Sequence, residues 1–542
     1  MALPSGSIFE VRTTGSDSLN GGHFDAGNGS MATDLAATVA TSSAPVVTSA
    51  SYTFVSGDIG YHLFVKSGTN WISGWYEIAS VAGGAATLLA AFGSATTYRP
   101  FGVSEITGVA TVASPTGGTW AIDYSQSATP LSLTGLTTAA ADATILTASA
   151  TKAMVGNGLF ITGGTNFTTG VYSILSVTAG VSMVVDRTCT SAAGAAGTAG
   201  LGGCFATPGF ASGQAIAQNS VFGKTGTYDC SSTADVAAGR VLTKSAQRWE
   251  AYSVVRGDRA AKATLQSTSN SMTVFTTAGS GLNRIVGIEA KLGGVTTTIR
   301  GFDFGAPTLA LGCKATGCTN VGFRDAGIAA IKLLCEADAC NIGFQDNSNT
   351  GFTYKWCTAK DCTTYGFDVV NGNATTLDSC ITDGCATGIR TDEKAVVTNC
   401  TTNGGTNGCI AVSNSIYINH LASNNTTGFS ISATMGASTA GGAVMIKCAG
   451  YNNTANVGGA GGPALNEGFI TLTADPFTNA AGGDFSLNNT AGGGAALRAA
   501  GYPSSFPGLS TLTYPNVGAQ IPEPATAGAL MRAAGTQGGC NS

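Results

Sequence analysis

The feature of this sequence that most constrains its fold is a short phrase that recurs in the second half of the chain. The clearest copies begin at Cys313, Cys335, Cys357 and Cys380 and read CKATGCTNVGF, CEADACNIGF, CTAKDCTTYGF and CITDGCATGI. A looser copy, CTTNGGTNGCI, begins at Cys400, so the leading cysteines are 22, 22, 23 and 20 residues apart. Repeats of this length without a helical pattern predict stacked short units, each of which buries its apolar residues against its neighbours.

The composition of each unit predicts β-structure. Thr, Asn, Asp and Gly separate the apolar positions, and runs such as IYIN and FSIS alternate apolar and polar residues as strands do. If each unit is one coil of a parallel β-helix, equivalent residues stack about 4.8 Å apart along the axis. Because parallel crossovers almost always take the right hand, we predict a right-handed parallel β-helix with coils of about 22 residues.

Stacking of the coils predicts columns of like residues inside the helix. Two columns hold Cys, one holds large apolar residues, and one holds Gly, which we expect at the bend of each coil, where the chain needs a positive φ or has no room for a Cβ atom. The predicted Cys columns are Cys313, Cys335, Cys357, Cys380 and Cys400, and Cys318, Cys340, Cys362 and Cys385. The apolar column is Phe323, Phe344, Phe367, Ile389 and Phe429, and the Gly column is Gly322, Gly343, Gly366, Gly388 and Gly428.

The cysteines admit three interpretations. The N-terminus has neither the basic start nor the apolar segment of a signal peptide, so we expect buried reduced thiols that pack as small apolar residues. Neighbouring coils would nevertheless place Cys Cα atoms about 4.8 Å apart, a separation that permits disulfides. Zinc is disfavoured because its ligands converge tetrahedrally whereas these columns run parallel. We therefore predict no metal and no other cofactor.

Charge and hydropathy argue against two classes of partner. Charged residues make up 10% of the chain, the net charge is −5, and no basic run is present, so binding of nucleic acid through its phosphates is not expected. The chain also lacks an uninterrupted apolar run of about 18 residues, so we expect no membrane insertion. Its 77 glycines without a collagen period favour an all-β protein rich in turns.

The first part of the chain carries an internal duplication. The segment GYHLFVKSGTNWISGWYEIASV, from Gly60, matches GNGLFITGGTNFTTGVYSILSV, from Gly156, at a constant offset of 96 residues. Each copy is typical of a strand, a Gly-Thr-Asn turn and a second strand. We predict an attachment segment or first strand at 1–30, β modules at 31–115 and 116–205, the β-helix at 206–500, and a Pro-containing tail at 501–542 that covers the open end of the helix.

Several phrases resemble known proteins. DPF from Asp475 and GDFSL from Gly483 resemble the last coil of right-handed parallel β-helix proteins, and RWEAYSVVRGD from Arg248 is similar to a strand phrase near their start. The opening FEVRTTGSDSLNGGHFDAG and the duplicated GGTNFTTGVYSI resemble structural proteins of tailed bacteriophages. Asn516 departs from the family, which usually carries Asp in the phrase YPNVGA. The resemblance implies a phage virion protein with a tail-fibre-like or tailspike-like β-helix.

Phage β-helices of this kind often bind host polysaccharide, and some hydrolyse it. Hydrolysis requires two carboxylates separated by about 5–10 Å. The candidates for this chemistry are Asp338 and Asp383, each three residues after a leading Cys. Lys360 occupies the same column between them, however, and an Asp-Lys-Asp ladder is typical of alternating surface charge.

Two aromatic residues are the candidates for glycan binding. Strand alternation around the inward Cys357 predicts that Tyr354 and Trp356 face solvent. Aromatic faces stack on sugar rings, so these two residues suggest a glycan-binding patch. Contact with a neighbouring subunit is the other interpretation.

Two functional classes follow. The first is a virion structural protein, a tail fibre, spike or decoration subunit that presents the β-helix for host attachment or particle stabilisation. The alternative is a polysaccharide-degrading enzyme, either a tailspike depolymerase or a secreted bacterial lyase or hydrolase. The Lys360 interruption favours the first class, without enzymatic activity. Resemblance to phage spikes further implies a homotrimer in the virion, made in the host cytoplasm, which binds other virion proteins through residues 1–205 and contacts a host-surface glycan.

Overall fold

In the computed structural model, the regular secondary structure of the described residues is almost entirely β-strand, and its largest part is a parallel β-helix. It describes residues 7–37, 46–71, 73–88, 115–230, 241–253, 256, 261–268, 273–294, 299–327, 330–347, 350–369, 375–391, 394–411, 414–432, 443–498, 500–501 and 516–519. The predicted β-helix is therefore confirmed. Three sheets run along its axis, and in each sheet the strands of consecutive coils pair in parallel.

The three sheets, named I, II and III, have 13, 11 and 10 strands within the described residues. Sheet I contains His23–Phe24, Ile8–Val11, Ser220–Lys224, Arg248–Tyr252, Asn283–Val286, Thr308–Leu311, Ala330–Leu333, Thr353–Lys355, Thr376–Asp378, Val396–Thr398, Ile416–Ile418, Val444–Ile446 and Leu465–Glu467. Sheet II contains Gly226–Asp229, Ala263–Ser267, Ile288–Leu292, Lys314–Thr316, Glu336–Asp338, Thr358–Lys360, Ile381–Asp383, Thr401–Asn403, Leu421–Ser423, Ala449–Tyr451 and Ile470–Thr471. Sheet III contains Val241–Leu242, Thr273–Thr277, Arg300–Phe304, Val321–Asp325, Ile342–Asp346, Tyr365–Val369, Thr387–Thr391, Asn407–Ala411, Thr427–Ile431 and Ala455–Gly458.

The predicted columns lie inside the helix. The cysteines of both columns are at most 1% exposed, and the 14 cysteines that the structure describes are free. The rings of Phe323 and Phe344 stack with their centroids 4.8 Å apart, and those of Phe344 and Phe367 are 4.6 Å apart. These distances equal the spacing of neighbouring strands, so each ring packs against its equivalent in the next coil.

The predicted Gly column is confirmed as a place of close approach but not as the bend. A Cβ atom on Gly366 would lie 2.7 Å from the carbonyl oxygen of Gly388, which leaves no room for a side chain.

The bends of the coil lie one residue before the cysteines of the two columns. Between sheets I and II the corner residue has a positive φ, as at Leu334, Trp356 and Ser379 with φ 55° each. Between sheets II and III the corner residues include Ala339 and Asp361 with φ 51° each.

The duplicated segments form two modules with one strand order. The first is a closed barrel in the order Ala32–Ala37, Val46–Thr48, Ala85–Leu88, Gly74–Ala82, His62–Thr69 and Thr116–Asp123. The second is a six-stranded sheet in the order Thr144–Leu146, Ser182–Val185, Gly170–Thr178, Gly158–Phe167, Thr190–Leu201 and Leu131–Leu136. Because Thr116–Asp123 pairs with strands of the barrel, the first module extends to Asp123 instead of ending at residue 115.

The hairpins of the two modules also share the backbone conformation of their turns. Asn70 and Asn166, which are equivalent in the duplication, both have φ 62°. Short 3-10 helices at Ser56–Asp58 and Lys152–Met154 precede the equivalent strands. Trp75, Trp120 and their neighbours form one buried apolar cluster that spans both modules.

The segments at the two ends of the β-helix are arranged differently from each other. Ile8–Val11 pairs in parallel with Ser220–Lys224, so residues 1–30 supply the first strand. An α-helix, Pro208–Gln214, packs on the apolar core near this strand. At the other end, Phe477–Asn479 and Asp484–Leu487 pair antiparallel and therefore form a hairpin instead of a last coil.

This hairpin lies with a 3-10 helix, Ala480–Gly482, and a short α-helix, Gly494–Leu497. The apolar side chains of this unit pack with Ile381 and Leu421 on the outer face of sheet II. The described part of the tail lies on the same flank, where the Gly518 amide donates to the carbonyl oxygen of Asn419 at 2.8 Å. The described tail residues therefore cover the side of the helix, not its open end.

A buried ion-pair cluster joins the first module to the β-helix. Arg256 donates from Nε to Glu10 Oε2 at 2.8 Å and from Nη1 to Asp123 Oδ2 at 2.9 Å, and all three side chains are fully buried. Glu10 belongs to the first strand of sheet I, and Asp123 ends the last strand of the barrel. Burial raises the pKa of Asp123, but the charge of Arg256 and hydrogen bonds from Ser125 outweigh it and hold the pKa below its ordinary value.

The Gly column generates the first prediction. We expect Gly366→Val to lower the free energy of unfolding by about 1–3 kcal/mol, because its side chain would force apart two stacked coils. Thr358→Val is the control, since Thr358 lies on the outer face of sheet II, and we expect it to change stability by less than about 0.5 kcal/mol. Chemical denaturation measures both. Equal losses would contradict the assignment of the column.

The ion-pair cluster generates the second prediction. We expect Arg256→Met to cost about 3–5 kcal/mol, because it removes the cation that pairs with buried Asp123 and one of the two cations that pair with buried Glu10. Since the folded-state pKa of Asp123 is depressed, its stabilising contribution is complete above the ordinary pKa of about 4 and is lost as the pH falls through the folded value. The variant should therefore lose part of the acid sensitivity of the wild type in denaturation experiments.

Lys355→Met is the matched control for that experiment. The Lys355–Asp378 pair has a similar Nζ–Oδ2 distance of 2.7 Å but lies at the surface. Exposed pairs contribute about 0–1 kcal/mol, so this variant should unfold nearly as the wild type does. A loss as large as that of Arg256→Met would show that burial of the cluster is not what makes it stabilising.

Candidate functional site

The outer face of sheet II carries the two candidate carboxylates. Asp338 pairs with Lys360, and Lys360 pairs with Asp383, so the predicted Asp-Lys-Asp column is present in register. Asp338 and Asp383 are half-buried and Lys360 is exposed. The structure thus brings the two carboxylates onto one face, two coils apart, with a cationic side chain between them.

Each of these carboxylates has a polar partner. Lys314 Nζ lies 2.8 Å from Glu336 Oε1 and 3.2 Å from Asp338 Oδ2. Asn403 Nδ2 donates to Asp383 Oδ1 at 2.8 Å. The face is therefore a ladder of paired charges and amides, an arrangement that offers many hydrogen-bonding groups to a polar surface.

The expectation that Tyr354 faces solvent is wrong. Its side chain is fully buried, and its hydroxyl donates to Asp325 Oδ2 at 2.6 Å inside the helix. Strand alternation fails here because Trp356 is a corner residue with φ 55°. This residue interrupts the two-residue period, so Tyr354 and Cys357 point inward together.

Trp356 lies at the edge of the ladder. Its side chain is half-buried, and Lys355 Nζ lies 4.6 Å from the centroid of its ring. Lys355 also contacts Asp378 Oδ2 at 2.7 Å. Of the two aromatic candidates, only Trp356 therefore belongs to the outer surface, where it forms part of a corner of mixed charge.

A pocket between the two N-terminal modules was not predicted. Its volume is about 280 Å³, which is near the lower limit for a small-ligand pocket. The first module contributes aromatic side chains and a carboxylate, and the second contributes apolar and hydroxyl side chains. Its lining includes Tyr52, Val55, Asp58, Tyr61, Tyr124, Leu131, Ser149 and Met154.

The polar groups of this pocket form a local network. The Tyr52 hydroxyl donates to Asp58 Oδ2 at 2.9 Å, and the Val55 amide donates to the same oxygen at 2.9 Å. The rings of Tyr61 and Tyr124 meet edge to face, with centroids 4.7 Å apart. Burial raises the pKa of Asp58 above its ordinary value. The pocket thus combines aromatic surfaces with hydroxyl groups and a buried carboxylate.

The duplication contains a signal for this pocket. Asp58 is equivalent to Met154 at the offset of 96 residues, and both side chains are buried. A carboxylate in one copy where the other has an apolar residue marks a position at which the copies have diverged in chemistry. Internal comparison of the copies could therefore have identified Asp58.

Two further observations concern metals and membranes. Across the described ranges, no three His, Cys, Asp or Glu side chains gather in an arrangement that could hold a metal ion. None of the helices in the described part of the chain has the length and apolarity of a membrane-spanning helix.

Comparison with known proteins finds matches among solved structures. No family model matches the sequence. No curated protein matches it either. Among solved structures, pectate lyase Pel9A matches with a TM-score of 0.39 and 14% identity over 58% of this chain and 90% of that chain.

Two other solved structures are among the matches. The N-terminal fragment of bacteriophage Phi29 gene product 12 has a TM-score of 0.28 and 10% identity over 46% of this chain and 66% of that chain. The catalytic domain of a GH87 alpha-1,3-glucanase has a TM-score of 0.27 and 10% identity over 87% of this chain and 96% of that chain. Identities and TM-scores this low do not indicate an activity or a substrate.

Proposed function

We propose that this protein is a non-enzymatic structural subunit of a bacteriophage virion. Its N-terminal modules attach to the particle, and its β-helix projects as a fibre-like or spike-like shaft that contacts the host surface. The observation that carries this proposal is a group of exposed apolar side chains around the pocket between the modules. Val55 and Leu131, which line the pocket, are 51% and 40% exposed.

Two further apolar side chains of the modules are exposed. Ile59 lies in the same loop as Val55 and is 46% exposed, and Leu146 of the second module is 40% exposed. Adjacent exposed apolar side chains are typical of protein-binding surfaces. They support docking of the modules on another virion protein.

The ion-pair cluster supports the proposal that the modules form the base and the β-helix forms the shaft. Arg256 links the first strand of the β-helix to the barrel through two fully buried ion pairs. A base joined in this way transmits force to the shaft without a flexible linker.

We also propose that the shaft is a homotrimer, since association would cover its weakly charged faces. Measurement of the mass in solution tests this.

The outer face of sheet II supports contact with the host. Its ladder of paired charges and amides, with Trp356 at its edge, presents groups that hydrogen-bond to and stack on sugars. A second candidate function, polysaccharide cleavage, is favoured by one observation: Asp338 and Asp383 share one column on this face. The partners of both carboxylates favour the structural role instead.

Incubation with host envelope polysaccharide distinguishes these functions. We expect the purified protein to release no oligosaccharides, because Lys314 and Asn403 already engage the two carboxylates. Chromatography of the reaction products measures the release. Release that disappears in Asp338→Asn or Asp383→Asn would establish the enzymatic alternative, and release that persists in both would place cleavage at another site.

Particle assembly tests the role of the modules. We expect Val55→Asp and Leu131→Asp to lower incorporation into particles at least about tenfold, because a charge would have to be buried in the docking surface. Leu282→Asp is the matched control, since Leu282 is 46% exposed but belongs to the β-helix. Quantitative immunoblotting of purified particles measures incorporation. Normal incorporation of both module variants would remove the proposed docking surface.

A further inference from the structure

A lysine lies in the interior of the β-helix, where the neighbouring coils place uncharged residues. Lys332 points inward from sheet I, between Ala310 of the preceding coil and Tyr354 of the next, and its side chain is fully buried. Its Nζ atom lies 5.3, 4.9 and 4.6 Å from the ring centroids of Phe304, Phe352 and Tyr354. A buried charge of this kind requires a partner.

The partner is the carboxyl group of Asp325, at the end of the preceding strand in sheet III. Lys332 Nζ is in direct contact with Asp325 Oδ2, and both side chains are fully buried. The Tyr354 hydroxyl donates to the same oxygen at 2.6 Å. The other oxygen, Oδ1, is buried and has no hydrogen-bond partner among the described residues. One oxygen is thus held in place while the other is left without a partner.

A second carboxyl group follows in the same column. Asp346 pairs with Asp325 in the adjacent coil of sheet III and is also fully buried. Its Oδ2 atom accepts a hydrogen bond from the Thr375 hydroxyl at 2.6 Å. The interior therefore holds an amine, a carboxyl group in contact with it, and a further carboxyl group one coil away, surrounded by aromatic rings.

We infer that Lys332 and Asp325 condense to an intramolecular isopeptide bond inside the β-helix. Transfer of a proton from the ammonium to the carboxylate first converts the ion pair into a neutral amine and a neutral acid. A medium of low dielectric constant favours the neutral pair. Burial raises the pKa of Asp325 above its ordinary value, in agreement with this step.

The condensation then balances without a co-reactant. The lone pair of Nζ attacks Asp325 Cγ, and a C–N bond forms. The proton that nitrogen loses and the proton of the neutral acid both end on Oδ1, the bond from Cγ to Oδ1 breaks, and one water molecule leaves. We assign the proton transfer to Asp346, the next carboxyl group in the column. The retained oxygen keeps the hydrogen bond from Tyr354, and the departing oxygen is the one without a partner.

The product is a covalent link between sheets III and I across one turn of the coil. It replaces a buried ion pair, whose desolvation is costly, with a neutral amide. It also removes the unpartnered carboxylate oxygen, which otherwise destabilises the folded state. The bond would hold one coil of the shaft together even when its neighbours separate.

Tryptic digestion of the denatured full-length protein tests the inference. Trypsin cleaves after Arg324, Lys332 and Lys355, and acylation of Lys332 blocks the middle site. We expect one peptide, Asp325–Lys355, lighter than its sequence by one water molecule and without fragment ions between Asp325 and Lys332. Separate peptides of unaltered mass on either side of Lys332 would overturn the inference. A succinimide at Asp325 also loses water but leaves cleavage after Lys332 intact, and that result would overturn it too.

Variants test the assigned roles of the groups. Lys332→Met and Asp325→Ala should give peptides of unaltered mass. Asp325→Asn should give the same cross-linked peptide as the wild type, because an amide condenses with loss of ammonia instead of water. Asp346→Asn should slow formation of the bond by about 100-fold if Asp346 transfers the proton; an unchanged rate would remove that role from Asp346. If a variant fails to fold, the digest of the wild-type protein still decides whether the bond exists.

A surface pair of the same two residue types is the internal control. Lys355 and Asp378 are in contact at 2.7 Å but lie at the surface, where water keeps both groups charged. We expect cleavage after Lys355 and no loss of water at this pair. Water loss at both pairs would mean that contact alone, and not burial, produces the bond.

Discussion

The β-helix depends on the packing of each side chain against its equivalent in the next coil. The Phe rings stack at 4.6–4.8 Å, and the cysteines beside them are almost inaccessible to solvent. A coil of this length cannot enclose a core by itself, so its apolar side chains are buried only when its neighbours are in register. A change in the volume of one side chain therefore disturbs the packing of the coils above and below it.

One coil shows how the columns tolerate such a change. His420 occupies the Cys column between Cys400 and Cys448, and Cys409 occupies the Phe column between Ile389 and Phe429. The large residue has moved to the position of the small one, and the small residue to that of the large one. Their side chains meet, with His420 Nε2 3.2 Å from Cys409 Sγ. Burial lowers the pKa of His420 to about 3, so the imidazole packs as a neutral group.

Two clusters of buried ion pairs lie among these packed side chains. Arg256, with its two carboxylate partners, joins the barrel to the first strand of the helix, where a mobile linker would otherwise be expected. Lys332 and Asp325 lie inside a single coil. Both clusters are enclosed by apolar side chains, which strengthens the electrostatic interactions within them. The first links two parts of the molecule, and the second is confined to one turn of the shaft.

Most of the β-helix could be predicted from the sequence, because each column of the core appears in the sequence as one type of residue that recurs with the period of the coils. The period of the cysteines and the Gly-Phe step identified the coils and the inward residues, and the duplication identified the two modules. The predicted order Asp338, Lys360 and Asp383 was also found, since register in a parallel sheet follows from the repeat.

The tertiary structure decided where side chains point near the corners and which distant segments meet. Tyr354 is buried because the positive φ of Trp356 interrupts strand alternation, and a sequence does not reveal such a conformation in a residue other than Gly or Asn. The contact of Arg256 with Glu10 and the pocket around Asp58 join segments that no repeat relates. Local patterns in the sequence determine the coil, whereas contacts between unlike segments depend on the complete path of the chain.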